Sequence, residues 1–437
     1  MDPILISFLS IVVLITLIFL GIHIATALIS VSVVALYLIT EGWRIPFGML
    51  SISAYRGIME YIFGTAPLFI VMGLLANSSG ASNDLYDAAN IVFRRVRGGI
   101  AIATVAANAV FASITGVSVA SAAVFSKIAI PQMQRLGYNH RFSLGTVAGS
   151  SILGMLIPPS ILLILYGLLT EEAIGKLFIA GIIPGIVMSL IFSLGIFILV
   201  SFKPSLAGKI LERKKTRRLD DVKNLVRPWP ILVVIFLVLG GIYLGFVTPT
   251  EAAAVGAAGA LGVTIFKRKF TVKSFWGILL ETGNMNASIG FLMISAIFFS
   301  KMLSFSGFTA EVTQTVLALE MPPLVVVWAF ILILIVLGSF LDSTSIILIA
   351  VPIIAPIIQA MGFDMIWFGI VCVVAVEMGL ITPPFGMVVF AMKAALGEEA
   401  KVEDIFIGAF PFFIMMIITL AILVYFPSLS TWLPKHM

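Results

Sequence analysis

Two kinds of local irregularity, each occurring twice in this 437-residue chain, hold the residues that could do chemistry. The first is a polar cluster inside apolar sequence: Ser113-Ile114-Thr115-Gly116-Val117-Ser118-Val119-Ala120-Ser121, and later Gly338-Ser339-Phe340-Leu341-Asp342-Ser343-Thr344-Ser345. The second is a glycine shortly before a diproline: Gly154-Met155-Leu156-Ile157-Pro158-Pro159 and Gly379-Leu380-Ile381-Thr382-Pro383-Pro384. Proline inside a helix removes an N–H donor and clashes with the carbonyl of residue i−4. Each diproline therefore predicts a broken helix with carbonyl oxygens released from it. Such carbonyls, joined by Ser and Thr hydroxyls, make a hard, weakly charged oxygen cage suited to Na⁺, and half-helix N-termini beside it suit a carboxylate. The same residues also read as helix-packing positions with simple kinks. A single copy does not decide between these readings; recurrence of both features at one spacing favours ion sites.

Few ionisable residues fall within the apolar stretches. Asp342 lies in the second polar cluster and Glu377 lies two residues before Gly379. Charge at membrane depth is costly and is a functional hypothesis by default. Asp342 would orient the second cage or ligate an ion, and Glu377 would hydrogen-bond the broken segment; the alternative for both is a paired structural residue. Glu281, Lys301 and Lys393 are expected near span ends, where long side chains reach the interface. Residues 47–60, with Arg56 and Glu60, are expected to form an interfacial helix. Thr248-Pro249-Thr250-Glu251 predicts a capped helix start, which accounts for Glu251 without a functional role.

The elements that must position these groups are membrane helices. Hydrophobic residues make up 61% of the chain and charged residues 11%, with mean hydropathy +1.18. Soluble domains carry about 25% charged residues. The apolar residues here suffice for about a dozen spans of about 20 residues each. That composition excludes a soluble enzyme, a nucleic-acid-binding domain and a secreted disulfide scaffold, and leaves an all-α polytopic membrane protein. Cys372 is the single cysteine, and His23, His140 and His436 are too scattered for a metal site. An intramembrane enzyme would need a nucleophile–base pair or clustered ligands, which the sequence does not offer. It also has no Walker-A loop, so transport energy must come from an ion gradient or another subunit. The N-terminal stretch, without a basic n-region, reads as a retained span.

The chain repeats itself. An offset of 225 positions relates Pro158-Pro159 to Pro383-Pro384, Ser118 to Ser343, Pro131 to Pro356, Gly137 to Gly362 and Gly154 to Gly379. Internal duplication explains this better than shared composition. The expected halves are residues 1–202 and 228–437, joined by a basic cytoplasmic linker at 203–227. Each half is expected to hold a re-entrant hairpin (99–133 and 322–361) and a broken helix (142–170 and 365–395). The first hairpin is followed by Lys127, Arg135 and Arg141, whereas 352–366 carries Asp364 and no basic residue. Basic loops stay in the cytoplasm, so the copies are expected in opposite orientation, as an inverted repeat.

Several segments carry a family resemblance: Ala66-Pro67-Leu68-Phe69-Ile70, residues 111–123, Gly137-Tyr138, Leu156-Ile157-Pro158-Pro159-Ser160-Ile161, Tyr166-Gly167, residues 177–185, Thr248-Pro249-Thr250-Glu251-Ala252-Ala253-Ala254 and residues 377–386. Together they resemble, over nearly the whole chain, the large membrane subunit of tripartite ATP-independent periplasmic (TRAP) transporters, the DctM-like family. The resemblance implies a Na⁺-driven, elevator-type secondary importer in the bacterial inner membrane. It further implies a soluble periplasmic substrate-binding protein, a small four-helix membrane subunit, and an organic acid anion such as a C4-dicarboxylate, sialic acid or other sugar acid. Carried over by motif, the first Na⁺ site takes Gly116, Ser118, Ser121, Gly154 and Ile157. The second takes Gly338, Thr344, Gly379 and Thr382. Thr115, Ser343, Pro158, Pro383, Asp342 and Glu377 stand as supporting candidates. Four positions depart from the family pattern: Val117 replaces a hydroxyl residue, Ala375 an Asn, Leu74 a Glu and His23 a Pro. The first two bear on ligands or substrate choice. The alternative reading is a stand-alone ion-coupled carboxylate carrier of related architecture.

Overall fold

The computed structural model describes residues 2–59, 64–208 and 218–437. Glu60 and the linker residues Lys209, Arg213, Lys214, Lys215 and Arg217 lie outside the described residues. Every regular element among those described is a helix. Six helices are long and apolar enough to cross a membrane, or seven if the bent pair His140–Leu156 and Ile161–Thr170 counts as one span. Six more apolar helices are shorter, including Pro3–Phe19, Gly99–Thr115, Pro323–Gly338 and Met365–Gly379. The apolar residues thus divide between full spans and half-length pieces, because Gly, Pro and polar residues interrupt the runs. The chain is a multi-pass membrane protein.

Local chemistry sets the boundaries. Thr248 Oγ1 accepts from Glu251 N–H at 3.3 Å while the Glu251 carboxylate accepts from Thr248 N–H at 2.7 Å, the reciprocal cap that the sequence calls for. Asn139 and Asp364, 225 positions apart, each begin a helix by accepting from the N–H three residues on, Phe142 at 3.2 Å and Trp367 at 3.0 Å. Gly137 and Gly362, two residues before them, share a left-handed φ of 79° that a side chain would strain. Matching residues therefore make matching turns.

The helices pack as two bodies that touch where Thr65–Ser78 meets Gly99–Thr115 and where Val272–Phe305 meets Ser343–Ala360. In one, the hairpin Gly99–Thr115/Ser118–Arg135 and the hairpin Pro323–Gly338/Ser343–Ala360 interlock with the helices that follow them. Helix Ile161–Thr170, from the first half, packs on Ser343–Ala360 of the second; helix Met387–Leu396, from the second, packs on Ser118–Arg135 of the first. Close approach is permitted by glycine: a Cβ on Gly149 would overlap the Phe412 side chain of helix Val402–Tyr425, and Gly145 meets Gly408 backbone to backbone. In the other body, Thr65–Ser78 lies along Pro249–Phe266, and the 34-residue helix Val272–Phe305 packs on Ile24–Thr40, Arg44–Met59 and Thr65–Ser78. Helix Ala81–Phe93 leaves the second body at Gly80 (φ 76°) and packs on Gly99–Thr115 of the first.

The cap at Thr248 yields a direct test. Thr248→Ala should lower stability by about 0.5–2 kcal/mol, read as a drop in melting temperature, with transport per folded molecule unchanged. A wild-type melting temperature would mean that packing of Pro249–Phe266 alone holds this helix start.

Candidate functional site

The site is where both hairpin tips meet both diproline breaks. In the first hairpin, helix 99–115 ends at Gly116 with φ 63° and Val117 is extended before Ser118 starts the return helix. This tip lies directly on the first break. A Cβ on Gly116 would come 2.6 Å from Pro159 O, and one on Gly154 would come 3.0 Å from the Ser118 backbone. At the second hairpin, a Cβ on Gly338 would come 2.8 Å from both Gly379 Cα and Val376 O. Phe385 N–H donates to Ser339 O at 3.0 Å, tying the segment after the second diproline to the hairpin tip. Only glycine allows these backbones to touch. Both diprolines contain a cis peptide bond. Pro158 and Pro159 are buried, whereas Pro383 and Pro384 are exposed.

Glu377 joins the two hairpins. Its carboxylate is 0% exposed and accepts from Ser118 Oγ at 2.5 Å and from Ser343 Oγ at 3.0 Å. Those two serines are the positions related by the 225-residue offset. The sequence suggests that Glu377 serves its own broken segment; in the structure it instead grips the tips of both hairpins. Ser118 Oγ also stands 3.3 Å from Ile152 O. With one proton, that hydroxyl donates to the nearer, ionisable partner.

The other candidates divide by role. Ser121 Oγ donates to Asn108 Oδ1 at 2.9 Å, and Asn108 Nδ2 donates to Ser150 Oγ at 2.6 Å, all three fully buried. Asn108 and Ser150 carry no motif; a lone buried amide within an apolar run is their only sequence signal. Asp342 caps Ser343–Ala360, accepting from Ser345 N–H at 3.1 Å and from the Ser345 hydroxyl, so both its oxygens serve the helix start. Thr382 Oγ1 donates to Met378 O at 2.8 Å, and Thr115 Oγ1 to Phe111 O at 3.2 Å. Ile157 is extended where the first broken helix ends, and Thr344 is half-buried in the first turn after the second tip.

Of the three charged residues expected at span ends, Lys301 and Lys393 lie near the ends of their helices and Glu281 does not. Glu281 lines a cavity of about 80 Å³ against the first hairpin tip, with Asn77, Thr115 and Val117. It lies ten residues into a 34-residue helix. Lys301 donates to Ser53 Oγ at 3.2 Å, bridging Val272–Phe305 to Arg44–Met59, and Lys393 caps its own helix end by donating to Gly397 O at 2.7 Å.

Comparison with known proteins now bears on this geometry. The family described as "Tripartite ATP-independent periplasmic transporter, DctM component" matches residues 11–429. The chain belongs to that family. The C4-dicarboxylate TRAP transporter large permease protein DctM of Pseudomonas aeruginosa is 35% identical over 394 residues, 88% of this chain and 89% of that protein. The sialic acid TRAP transporter large permease protein SiaM of Vibrio cholerae is 28% identical over 420 residues, 96% of each. The crystal structure of the Alcanivorax borkumensis YdaH transporter superposes with a TM-score of 0.64 at 15% identity, covering 98% of each chain, a likeness of fold.

As a DctM-type permease, the chain is a transport subunit and not an enzyme. The departures from the family pattern acquire places. Val117 lies at the first tip against the Glu281 cavity, and Leu74, where the pattern has Glu, lines the same cavity. Ala375 is buried one turn from Ile370 and Val371, two residues before Glu377. His23 stacks on Phe291 of the long helix with ring centroids 6.3 Å apart.

The carboxylate bridge predicts an asymmetric mutant series. In Glu377→Ala, Ser118 can turn to Ile152 O, whereas Ser343 loses its acceptor, a loss worth about 1–3 kcal/mol. Adding Ser343→Ala to that background should raise the melting temperature, and adding Ser118→Ala should not. Equal effects of both second substitutions would contradict the assigned bridge.

Proposed function

We propose that this permease is a Na⁺-coupled secondary importer of an organic acid anion delivered by a soluble periplasmic binding protein. The observation that carries this reading is the buried Glu377 carboxylate held between Ser118 and Ser343 where both hairpin tips meet both breaks. Removing a carboxylate from water costs several kcal/mol unless it is compensated. Two hydroxyl donors compensate in part, and a small cation completes the balance. Ser118, Ser121, Ser343 and Thr382 each give their single proton to a protein acceptor. Their remaining lone pairs are then free to coordinate. Oxygen-only donors with little charge suit Na⁺.

On this reading the first Na⁺ site uses Gly116, Ser118, Ser121, Gly154 and Ile157, and the second uses Gly338, Thr344, Gly379 and Thr382. Glu377 serves both. Asp342 shapes the second tip through its cap. Na⁺ is cargo as well as energy source. The matched caps and turns at the 225-residue offset support two copies of one unit. Lys127 and Arg135 on the return helix of the first hairpin and Arg141 after it, against Asp364 after the second, support opposite orientations and a cytoplasmic basic linker. Division of the helices into two bodies supports an elevator, in which the hairpin body moves against the body built on Val272–Phe305.

Names of the relatives, C4-dicarboxylate and sialic acid large permeases, support an organic acid as substrate, and the tripartite family description supports two further components. The second partner on this reading is a small four-helix membrane subunit, and the location is the bacterial inner membrane. A stand-alone carrier is the competing reading, and it predicts uptake of free substrate by the membrane protein without the soluble partner.

Reconstituted uptake should require an inward Na⁺ gradient and the binding protein. Ser118→Ala and Thr382→Val should each raise the Na⁺ concentration for half-maximal uptake by roughly five- to 150-fold, the equivalent of about 1–3 kcal/mol. Wild-type Na⁺ curves in both variants, beside lowered melting temperatures, would return these residues to packing roles. Unchanged uptake in Na⁺-free buffer would overturn the coupling ion.

A further inference from the structure

At the end of the bundle that carries the basic linker, a cleft of about 640 Å³ opens beside the turn at Gly80. Its walls come from the Gly80 turn, the linker helix Arg218–Val226 and the facing ends of Trp229–Tyr243 and Pro249–Phe266. Four cations line it: Lys223, Arg227, Lys267 and Lys269.

The charges do not cancel. Asp84, 4% exposed, accepts from Arg227 at 2.9 Å and from Lys267, so one buried carboxylate engages two of the four cations. Asp87, one turn along the same helix, also faces Arg227. Lys223 and Lys269 have no carboxylate partner among the described residues. Lys269 is held over the turn: a Cβ on Gly80 would come 2.5 Å from its Nζ. The left-handed glycine both makes the turn and leaves room for the ammonium group.

Beside these cations the surface is apolar. Trp229 and Phe266, each at least half exposed, meet edge to face with centroids 6.3 Å apart. Val222, Leu225 and Val226 of the linker helix are exposed next to Lys223. Apolar positions 222, 225, 226 and 229 follow helical spacing, so they form one face continuous with the span that begins at Trp229. Aromatic rings at a span end sit at headgroup level. Basic pockets between spans bind lipid phosphates.

We propose that this cleft binds the headgroup of an anionic phospholipid, with Lys223 and Lys269 on the phosphate and the Trp229–Phe266 face against its acyl chains. A free phosphate ion would use the lysines and leave the apolar face unused; a lipid uses both. The location gives the ligand a mechanical position. Thr65–Ser78 packs chiefly on Pro249–Phe266 of one body and also touches Gly99–Thr115 of the other, on which Ala81–Phe93 is packed. The lipid would therefore sit at the joint between them, independently of any ion chemistry at the hairpin tips.

The test uses the full chain purified in detergent. Phosphatidylglycerol should raise its melting temperature by about 2–3 °C at saturation, while phosphatidylcholine and inorganic phosphate should not. Lys223→Gln with Lys269→Gln should need roughly 30-fold more phosphatidylglycerol for the same shift; Lys223→Arg with Lys269→Arg should respond as wild type. A shift of equal size with inorganic phosphate would overturn the lipid assignment, and an unaltered response in the glutamine variant would overturn the site. If that variant does not fold, wild type in vesicles decides. Brominated phosphatidylglycerol should quench tryptophan emission more than brominated phosphatidylcholine, and Trp229→Phe should abolish the difference. Equal quenching by the two lipids would overturn the proposal.

Discussion

A carboxylate with no access to water must find its partners inside the protein, and the placement of Glu377 imposes that demand on the rest of this structure. To supply two hydroxyls, the tips of two hairpins must converge on one point, although Ser118 and Ser343 are separated by 225 positions in sequence. Convergence requires backbones to approach closer than any side chain allows, hence Gly116, Gly154, Gly338 and Gly379 at the contacts. It also requires that helices stop at the contact, which the diprolines enforce by removing donors. Each oddity follows from the same local requirement.

Much of this was legible from residue types. Proline pairs, left-handed glycines and helix caps act through neighbours a few positions away, so Thr248, Asn139, Asp364, Gly137 and Gly362 behave as their local sequence dictates. The family could be read from whole motifs in order. Contacts at long range were not legible. Nothing near Glu377 says that one of its partners lies 259 residues earlier. Asn108 and Ser150 looked like isolated polar residues until folding set them beside Ser121. Glu281 looked like a span-end charge because span boundaries within a continuous 34-residue helix cannot be read from hydropathy alone.

The two halves also differ. At the offset that relates Ser118 to Ser343, Asn108 and Ser150 correspond to Ile333 and Ala375, and Glu377 corresponds to Ile152. The first half has a buried hydrogen-bonded chain; the second supplies the charge. Where the second has its carboxylate, the first has only the Ile152 carbonyl, and Ser118 reaches both. One carboxylate bonded to both tips makes them a single electrostatic unit, so anything that alters charge at one tip alters it at the other.

The reciprocal packing of Ile161–Thr170 on Ser343–Ala360 and of Met387–Leu396 on Ser118–Arg135 has a consequence for how the protein is made. A chain leaves the ribosome from its N-terminus, so the face of the first hairpin that receives Met387–Leu396 stays uncovered through the synthesis of some 250 further residues. The first half therefore cannot mature as a finished unit awaiting its twin. During biogenesis that face of serines and alanines has to be shielded by lipid, by the insertion machinery or by a neighbouring subunit until the last spans arrive. Truncation near the C-terminus would strand it and expose the molecule to quality-control proteolysis, even though every residue of the first hairpin and its broken helix was already in the membrane.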